Sequence, residues 1–336
     1  MKGPSLSQLI EYCKALPVEV LGTTFAADLS LTQFKEGLHN VTFLLETGGA
    51  TNRRFVVRFH PGDSEGRDMV AAEYECLEAL KGSCSPRAVY LGKPDFLAAS
   101  LMIMEYVPGE HRSFDSLSDQ EIGVLARTLA RLHSRTSAVF SPRPPGFAAL
   151  SSQREAAERS IQRWTIDRLR DLERTYHEEG IALAEEALDI LWGEIERHNG
   201  AFQAAADNLC HGEPNPKNVI WNKAGLTLID WTDWGFGDPA DEISFMFAMN
   251  NSGEDFQKVF LAEYADERTD VGMATRVRVY ILKSRIEDLV WSMQQLEKER
   301  LGQHSEFLNQ GRETYQEYYR ARLGALWNEL ANYKVF

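Results

Sequence analysis

The sequence predicts an α+β chain in which a small β-rich part with one helix precedes a larger, mostly helical part. Three observations carry this. Between Thr32 and Tyr106, short β-branched and aromatic runs separated by Gly, Asn and Pro are interrupted by one segment of helical spacing. Beyond Val107-Pro108-Gly109 nearly every apolar pattern has the helical period, apart from one hairpin. The length of 336 residues is enough for two domains, and 43% hydrophobic content is that of a packed chain. We therefore expect an N-terminal domain over 1–107 and a C-terminal domain over 108–336.

The strand-like runs are, in order, HNVTFLLE, RRFVVRF, RAVYLG and ASLMIMEY. The intervening helix lies in RDMVAAEYECLEALKG, where Met69, Leu77 and Leu80 form a stripe that also contains Glu73, four residues before Leu77. A carboxylate on an apolar stripe either snorkels from a helix edge or has a buried partner. Further on, Ser118-x-x-Glu121 forms a capping box ahead of Ile122, Leu125, Leu129 and Leu132. SPRPPG marks a loop at 141–146, and the amphipathic stretches 153–178 and 181–198 follow as a helical subdomain. NVIW and GLTLID flank the turn Asn222-Lys223-Ala224-Gly225, and the pattern is helical again from Thr275.

Charge and cysteine usage exclude several classes. With 36 basic and 50 acidic residues the net charge is −14, which disfavours binding along a nucleic-acid backbone. Between Asp207 and Asp270 there are 13 acidic and 4 basic residues, a balance that fits either a cationic ligand or ordinary solubility. Cys13, Cys76, Cys84 and Cys210 form no C-x-x-C pair and no Cys/His cluster in sequence, so neither a disulfide framework nor a zinc site is expected. The opening MKGPSLSQLIEYCKAL is broken by Glu11 and Lys14, and no apolar run nears the roughly 20 residues of a membrane span. A cytoplasmic chain without membrane or nucleic-acid partners is expected.

The chemistry concentrates in His211-Gly212-Glu213-Pro214-Asn215-Pro216-Lys217-Asn218, where a carboxylate stands five residues before an Asn, and in Asp230 at the end of the hairpin. Phosphoryl transfer needs one group to orient a hydroxyl and take its proton, and oxygen ligands to hold Mg²⁺ against phosphates. Taken singly, His211, Asn218 and Asp230 have structural explanations in loop and turn hydrogen bonds. Their joint order and spacing point to a phosphotransferase-type site, with His211 structural.

HGEPNPKN followed by LIDW resembles the catalytic loop and metal-binding Asp of the aminoglycoside phosphotransferase and choline kinase-like family, whose usual pattern is H-G-D-x-x-x-x-N and then I-D-[FW]. The resemblance implies a protein-kinase-like two-lobed fold, a small antiparallel sheet with one helix followed by a larger helical lobe. FKEGLHNVTFLLE resembles the nucleotide-binding loop, bringing in Gly37 and Asn40. FVVRF resembles the third strand, making Arg58 the phosphate-contacting cation and Glu73 its partner. MIMEYVPGE resembles the hinge, with Glu105 and Val107 at the adenine edge, and GDPADEISF the segment after the metal-binding Asp.

The implied activity is transfer of the γ-phosphate of ATP or GTP to a hydroxyl on a small molecule of the aminoglycoside, choline-like or amino-alcohol class. Glu213 would be the base, with Asn218 and Asp230 holding Mg²⁺. Two departures stand out: Glu213 replaces the family Asp, and Arg58 stands where Lys is common. A pseudokinase with a regulatory role is the alternative that Glu213 leaves open. Protein kinase activity is disfavoured by a loop with only Gly37 and by the lack of an A-P-E segment. Of Trp221, Trp231, Trp234 and Trp291, only Trp234 is carried as a substrate contact, and Lys217 is expected to be a solvated loop residue.

Overall fold

In chain order the elements are α1 (Leu6–Lys14), α2 (Val18–Leu21), β1 (Leu29–Gln33), β2 (Val41–Thr47), β3 (Arg54–Phe59), α3 (Met69–Leu80), β4 (Ala88–Gly92), β5 (Leu101–Glu105), α4 (Asp119–His133), α5 (Gln153–Ile161), α6 (Asp167–Arg170), α7 (Glu178–Arg197), β6 (Asn208–Cys210), β7 (Val219–Asn222), β8 (Gly225–Leu228), β9 (Gly235–Gly237), α8 (Pro239–Met249), α9 (Glu254–Glu267), α10 (Met273–Arg300) and α11 (Tyr315–Tyr333). A π-helical turn, Gln162–Ile166, joins α5 to α6. The computed structural model describes residues 4–22, 28–34, 41–48, 52–60, 68–97, 100–139, 150–223, 225–302 and 314–333. Gly37 and Asn40 lie outside them.

The chain forms two compact units, Met1–Arg112 with Pro216–Trp234, and Ser113–Asn215 with Gly235–Phe336. The sequence placed all of 108–336 in one domain, whereas residues 108–112 and the β7–β8 hairpin group with the sheet. The reason is backbone pairing that sequence distance conceals. Glu110 and Trp221 exchange hydrogen bonds of 3.0 and 2.9 Å, and the Leu228 N–H donates to Cys84 O at 2.8 Å.

In the first unit, β1 to β5 form an antiparallel sheet in the order β1-β2-β3-β5-β4. Alternation along β3 puts Phe55, Val57 and Phe59 into a core shared with Leu45, Leu101, Ile103 and, from α1, Leu9 and Cys13. Burying each large side chain contributes roughly 1.5–3 kcal/mol. Arg58, opposite Thr42 and Met102 in register, therefore belongs to the other face. Helix α3 starts on Asp68, whose side chain accepts the Ala71 N–H, and buries Val70, Glu73, Cys76, Leu77 and Leu80. Its stripe begins at Val70 and not at Met69, so Glu73 sits nearer the centre of the apolar face than the sequence reading placed it.

In the second unit, α4 carries the capping box formed by Ser118 and Glu121. β6 and β9 form a short ladder between Asn208↔Gly237 and Cys210↔Gly235 that the sequence reading did not include. Strands of three residues, one of them Gly-Phe-Gly, carry no alternation to detect. The long α10 packs against α7, α8 and α11. No helix among the described residues is long and apolar enough to cross a membrane.

Asp238 fixes where α8 begins, accepting the Ala240 N–H at 3.0 Å. Arg276, fully buried on α10, binds both Asp238 oxygens at 2.8 and 3.2 Å, Asp270 at 2.8 Å and the Ala201 carbonyl at 2.9 Å. Every charge in this knot has a partner; removing the guanidinium leaves the buried Asp238 carboxylate without its cation, while Asp270 keeps Arg268 at 2.7 Å. Arg276→Met is expected to cost about 3–5 kcal/mol, read as a lower urea midpoint with an unchanged slope.

Candidate active site

The first unit contributes a charged junction built on Arg58. Its Nη1 donates to Glu73 Oε1 at 3.0 Å, and its Nη2 donates to Asp230 Oδ1 at 2.5 Å and to Thr232 Oγ1 at 2.8 Å. Thr232 in turn donates to Asp230 Oδ1 at 2.7 Å, and the Trp231 N–H donates to Glu73 Oε1 at 3.1 Å. Arg58 and Glu73 are buried, while the Asp230 side chain keeps 42% of its exposure. Asp230 has φ +63°, a left-handed conformation that Asp tolerates better than most residues.

Burial pushes the Glu73 carboxyl up to about 7, against the opposing pull of the Arg58 guanidinium and the Trp231 amide. For Arg58, burial acts the other way, and the charges of Glu73 and Asp230 outweigh it, so the guanidinium stays ionised. The direction we stand behind is a permanently charged Arg58 between one exposed carboxylate and one buried carboxyl that titrates near neutrality.

Asn218, 8% exposed, ends a single 3₁₀ turn, Pro216–Asn218, and its carbonyl accepts the Ile229 N–H at 2.9 Å. That bond places Asn218 beside the residue preceding Asp230. Mg²⁺ prefers hard oxygen ligands, and the Asn218 amide and Asp230 carboxylate are of that kind, one of them accessible to solvent, so the pair fits the ion. At the expected hinge, the N–H groups of Glu105 and Tyr106 are taken by Arg87 and Arg54 carbonyls, while the Val107 backbone makes no hydrogen bond among the described residues. The Glu105 carboxylate lies 3.9 Å from Arg53. Trp231 and Trp234 are buried at 0% and 3%, and the Trp234 indole donates to Ala72 O. Trp234 is thus a packing residue, correcting its expected role as a substrate contact. Lys217 is exposed.

The second unit holds the other end of the loop. Glu213 is half-buried, its N–H donates to His211 Nδ1 at 3.2 Å and its carbonyl accepts the Asn215 N–H at 2.9 Å. The Gly212 N–H donates to Glu242 Oε2 at 2.6 Å. Glu242 Oε1 lies 2.7 Å from His133 Nε2, and His133 Nδ1 lies 2.9 Å from the Tyr264 hydroxyl. Burial would raise the Glu242 pKa, yet His133, His211 and the Gly212 amide outweigh it and hold it below the usual carboxylate range. Glu242 is therefore an ionised clamp on the backbone just before Glu213. His133, Cys210 and Glu242 bring possible ligand atoms within 4.8 Å of one another. Both His133 nitrogens and both Glu242 oxygens are already hydrogen-bonded, so this cluster serves the loop rather than a metal.

Sequence reasoning missed Thr232, Glu242 and Arg276. Glu242 and the Asp238 cap lie within GDPADEISF, so the segment was visible while its partners were not. The structure brings Arg58, Glu73 and Asp230 into direct contact and pairs Asn218 with Ile229, the residue before Asp230.

The sheet with α3 and the hairpin, and the larger helical part, define the class, a protein-kinase-like fold. The description "Phosphotransferase enzyme family" matches residues 30–280. A thiamine kinase of Escherichia coli is 25% identical over 263 residues, covering 78% of this chain and 77% of that protein. A choline kinase from Cryptosporidium parvum superposes with a TM-score of 0.64 at 15% identity, covering 98% and 96% of the two chains. A thermostable aminoglycoside phosphotransferase variant in complex with AMP-PNP and hygromycin B superposes with a TM-score of 0.56 at 16% identity, over 91% and 97%. The chain belongs to the phosphotransferase enzyme family and is a small-molecule kinase.

The Arg58–Glu73 ion pair requires ionised Glu73, whose carboxyl titrates at about 7. A carboxyl raised on folding favours the folded state below its unfolded pKa and loses that contribution as pH rises through the folded one, so charging Glu73 costs stability between about pH 4.5 and 7. Nucleotide affinity should move the opposite way, rising with pH through an inflection near 7. Glu73→Gln should flatten that profile, as measured by nucleotide titration between pH 5.5 and 8.5.

Proposed function

We propose that this chain transfers the γ-phosphate of ATP, in the presence of Mg²⁺, to a hydroxyl of a small molecule carrying a cationic nitrogen. The observation that carries the reading is the Arg58 fork binding Glu73 and Asp230 at once, beside Asn218. In this reading the Glu213 carboxylate orients the acceptor hydroxyl and takes its proton. The hydroxyl oxygen forms a bond to the γ-phosphorus while the bond to the β–γ bridging oxygen breaks, releasing ADP. Arg58, held in place by Glu73, neutralises charge on the nucleotide phosphates. Asn218 and Asp230 would hold Mg²⁺, which when bound supplies further neutralisation of phosphate charge. The Val107 backbone would meet the adenine edge, and residues 1–107 with the hairpin would form the nucleotide side.

An ATP donor is supported by the AMP-PNP complex of the structural relative; GTP, which the motif alone allows, has no such support. The names of the relatives make thiamine, choline and an aminoglycoside the first acceptors to assay. The second reading, a nucleotide-binding pseudokinase, is favoured by one observation, the Glu at position 213.

A thermal-shift titration tests the nucleotide half, since a ligand of the native state raises its apparent stability. ATP with Mg²⁺ should raise the melting temperature more than ATP alone, and Asp230→Ala should erase the difference. A shift indifferent to Mg²⁺ would favour the pseudokinase. For the chemical half, Glu213→Gln should lower kcat by about 10²–10⁴-fold while leaving the ATP shift intact. Glu213→Asp should lower kcat by on the order of 10²-fold in a site built around the longer side chain.

A further inference from the structure

Trp164 stands on the π-helical turn between α5 and α6 and is 38% exposed. Two guanidiniums lie on its indole, Arg163 at 4.8 Å and Arg168 at 4.2 Å. Neither makes a hydrogen bond or an ion pair among the described residues. Stacking engages the face of a guanidinium and leaves its in-plane N–H donors for another partner. The acids nearby are already engaged. Asp167 accepts from Gln162 at 2.5 Å and Arg170 at 3.1 Å, while Glu287 accepts from Lys283 at 3.1 Å and from Ser160 at 3.4 Å. Burial and the neighbouring Arg163 charge hold Arg168 below the usual arginine range despite Glu287. Apart from the field of Glu287, no acid among the described residues is hydrogen-bonded to either guanidinium, so the two adjacent cations keep donors that suit an anionic oxygen group.

The position of this pair ties it to the reaction. Arg168 senses Glu287 electrostatically, Glu287 binds Lys283, and Lys283 donates to Asp241 of α8 at 2.8 Å. The next residue of α8 is Glu242, the clamp on the Gly212 amide. The cation pair is thus linked, through the field of Glu287 and the Glu287–Lys283–Asp241 ion pairs, to the helix that clamps the Gly212 amide, all within one compact unit, and π-helical turns are frequent at functional sites.

We propose that Arg168 and Arg163, stacked on Trp164, bind a carboxylate on the acceptor, so that the preferred substrate is a zwitterion bearing a hydroxyl, a cationic nitrogen and an anionic oxygen group. This rests on the phosphotransferase reading of Glu213 and Asp230 and narrows its acceptor class.

Pairs of alcohols that differ only by a carboxylate make the test: ethanolamine against serine, and choline against N,N,N-trimethylserine. For each, kcat/KM is measured from ADP release in the full-length wild type and in Arg168→Met, Arg168→Lys and Arg163→Met. A charge-assisted pair predicts that the carboxylate-bearing member is favoured by about 10- to 100-fold, mainly through KM. Arg168→Met should remove the preference while leaving the ATP shift in place, and Arg168→Lys, which keeps charge but not the fork, should keep part of it. Equal rates within each pair, preference for the amino alcohol, a preference that survives both methionine variants, or no phosphorylation of either zwitterion by a protein that binds ATP with Mg²⁺ would overturn the proposal. The ATP shift on the same samples separates the two failures, because its absence removes the phosphotransferase reading itself and the inference with it.

Discussion

A buried glutamate that needs a cation, and a cation able to serve two acids at once, set the constraint on which the nucleotide half depends. Glu73 is fully buried on α3 and could not remain there ionised without the Arg58 guanidinium and the Trp231 amide. Arg58 presents a planar fork, so one nitrogen holds Glu73 while the other holds Asp230 and Thr232. An ammonium is a point charge on a flexible stem and would hold both acids with less geometric control. The departure from Lys therefore has a structural consequence, since β3, α3 and the end of the hairpin are registered through one rigid group. The Trp231 amide adds a backbone tie, so the residue after Asp230 is fixed by the same carboxyl that orients Arg58.

The second unit repeats the device with different residues. Glu242, also buried, takes a backbone amide from Gly212 and a histidine from α4, and α8, which carries it, is started by Asp238 against Arg276. In each unit a buried glutamate holds a main-chain N–H next to a residue to which the proposed reaction gives a role, Asp230 in one and Glu213 in the other. The chain leaves the second unit at Asn215 and enters the first at Pro216, so the loop from His211 to Asn218 is secured at its start by one clamp and at its end by Ile229 pairing. Catalysis by positioning requires this kind of redundancy, because small displacements of the reacting groups are costly.

How much of this was legible follows from where the partners lie. Glu73 stood out because a carboxylate inside an apolar stripe is anomalous on its own, and the order of Glu213, Asn218 and Asp230 is local enough to read as one motif. Thr232 could not be assigned, because its guanidinium partner is 174 residues away, and Glu242 meets His133 at a separation of 109. Sequence carries the identity of such residues but not the fold that pairs them. The grouping of the hairpin with the sheet was hidden for the same reason. Trp234 sits between the polar and glycine residues of DWGFGD, and only its burial and its bond to Ala72 show it to be packed. The π-turn is invisible to a period-3.6 reading, which takes 153–178 as ordinary amphipathic helix.

The extra methylene of Glu213 gains meaning from how its backbone is held. Its N–H is bound to His211 and its carbonyl to Asn215, while the preceding amide is held by Glu242. With three main-chain bonds across three residues, the loop cannot retreat to absorb a longer side chain without breaking hydrogen bonds, each of which contributes about 0.5–1.5 kcal/mol net. In the proposed reaction the acceptor must instead adapt, with its hydroxyl set farther from the loop than a shorter carboxylate would allow. An acceptor gripped at a distance by a guanidinium pair can be held at such an offset, whereas one positioned only by contact with the loop cannot. In the proposed reading, the longer Glu213 and the arginines of the π-turn become two sides of one adjustment, in which the site gives up closeness at the loop and recovers orientation from charge placed elsewhere on the same unit.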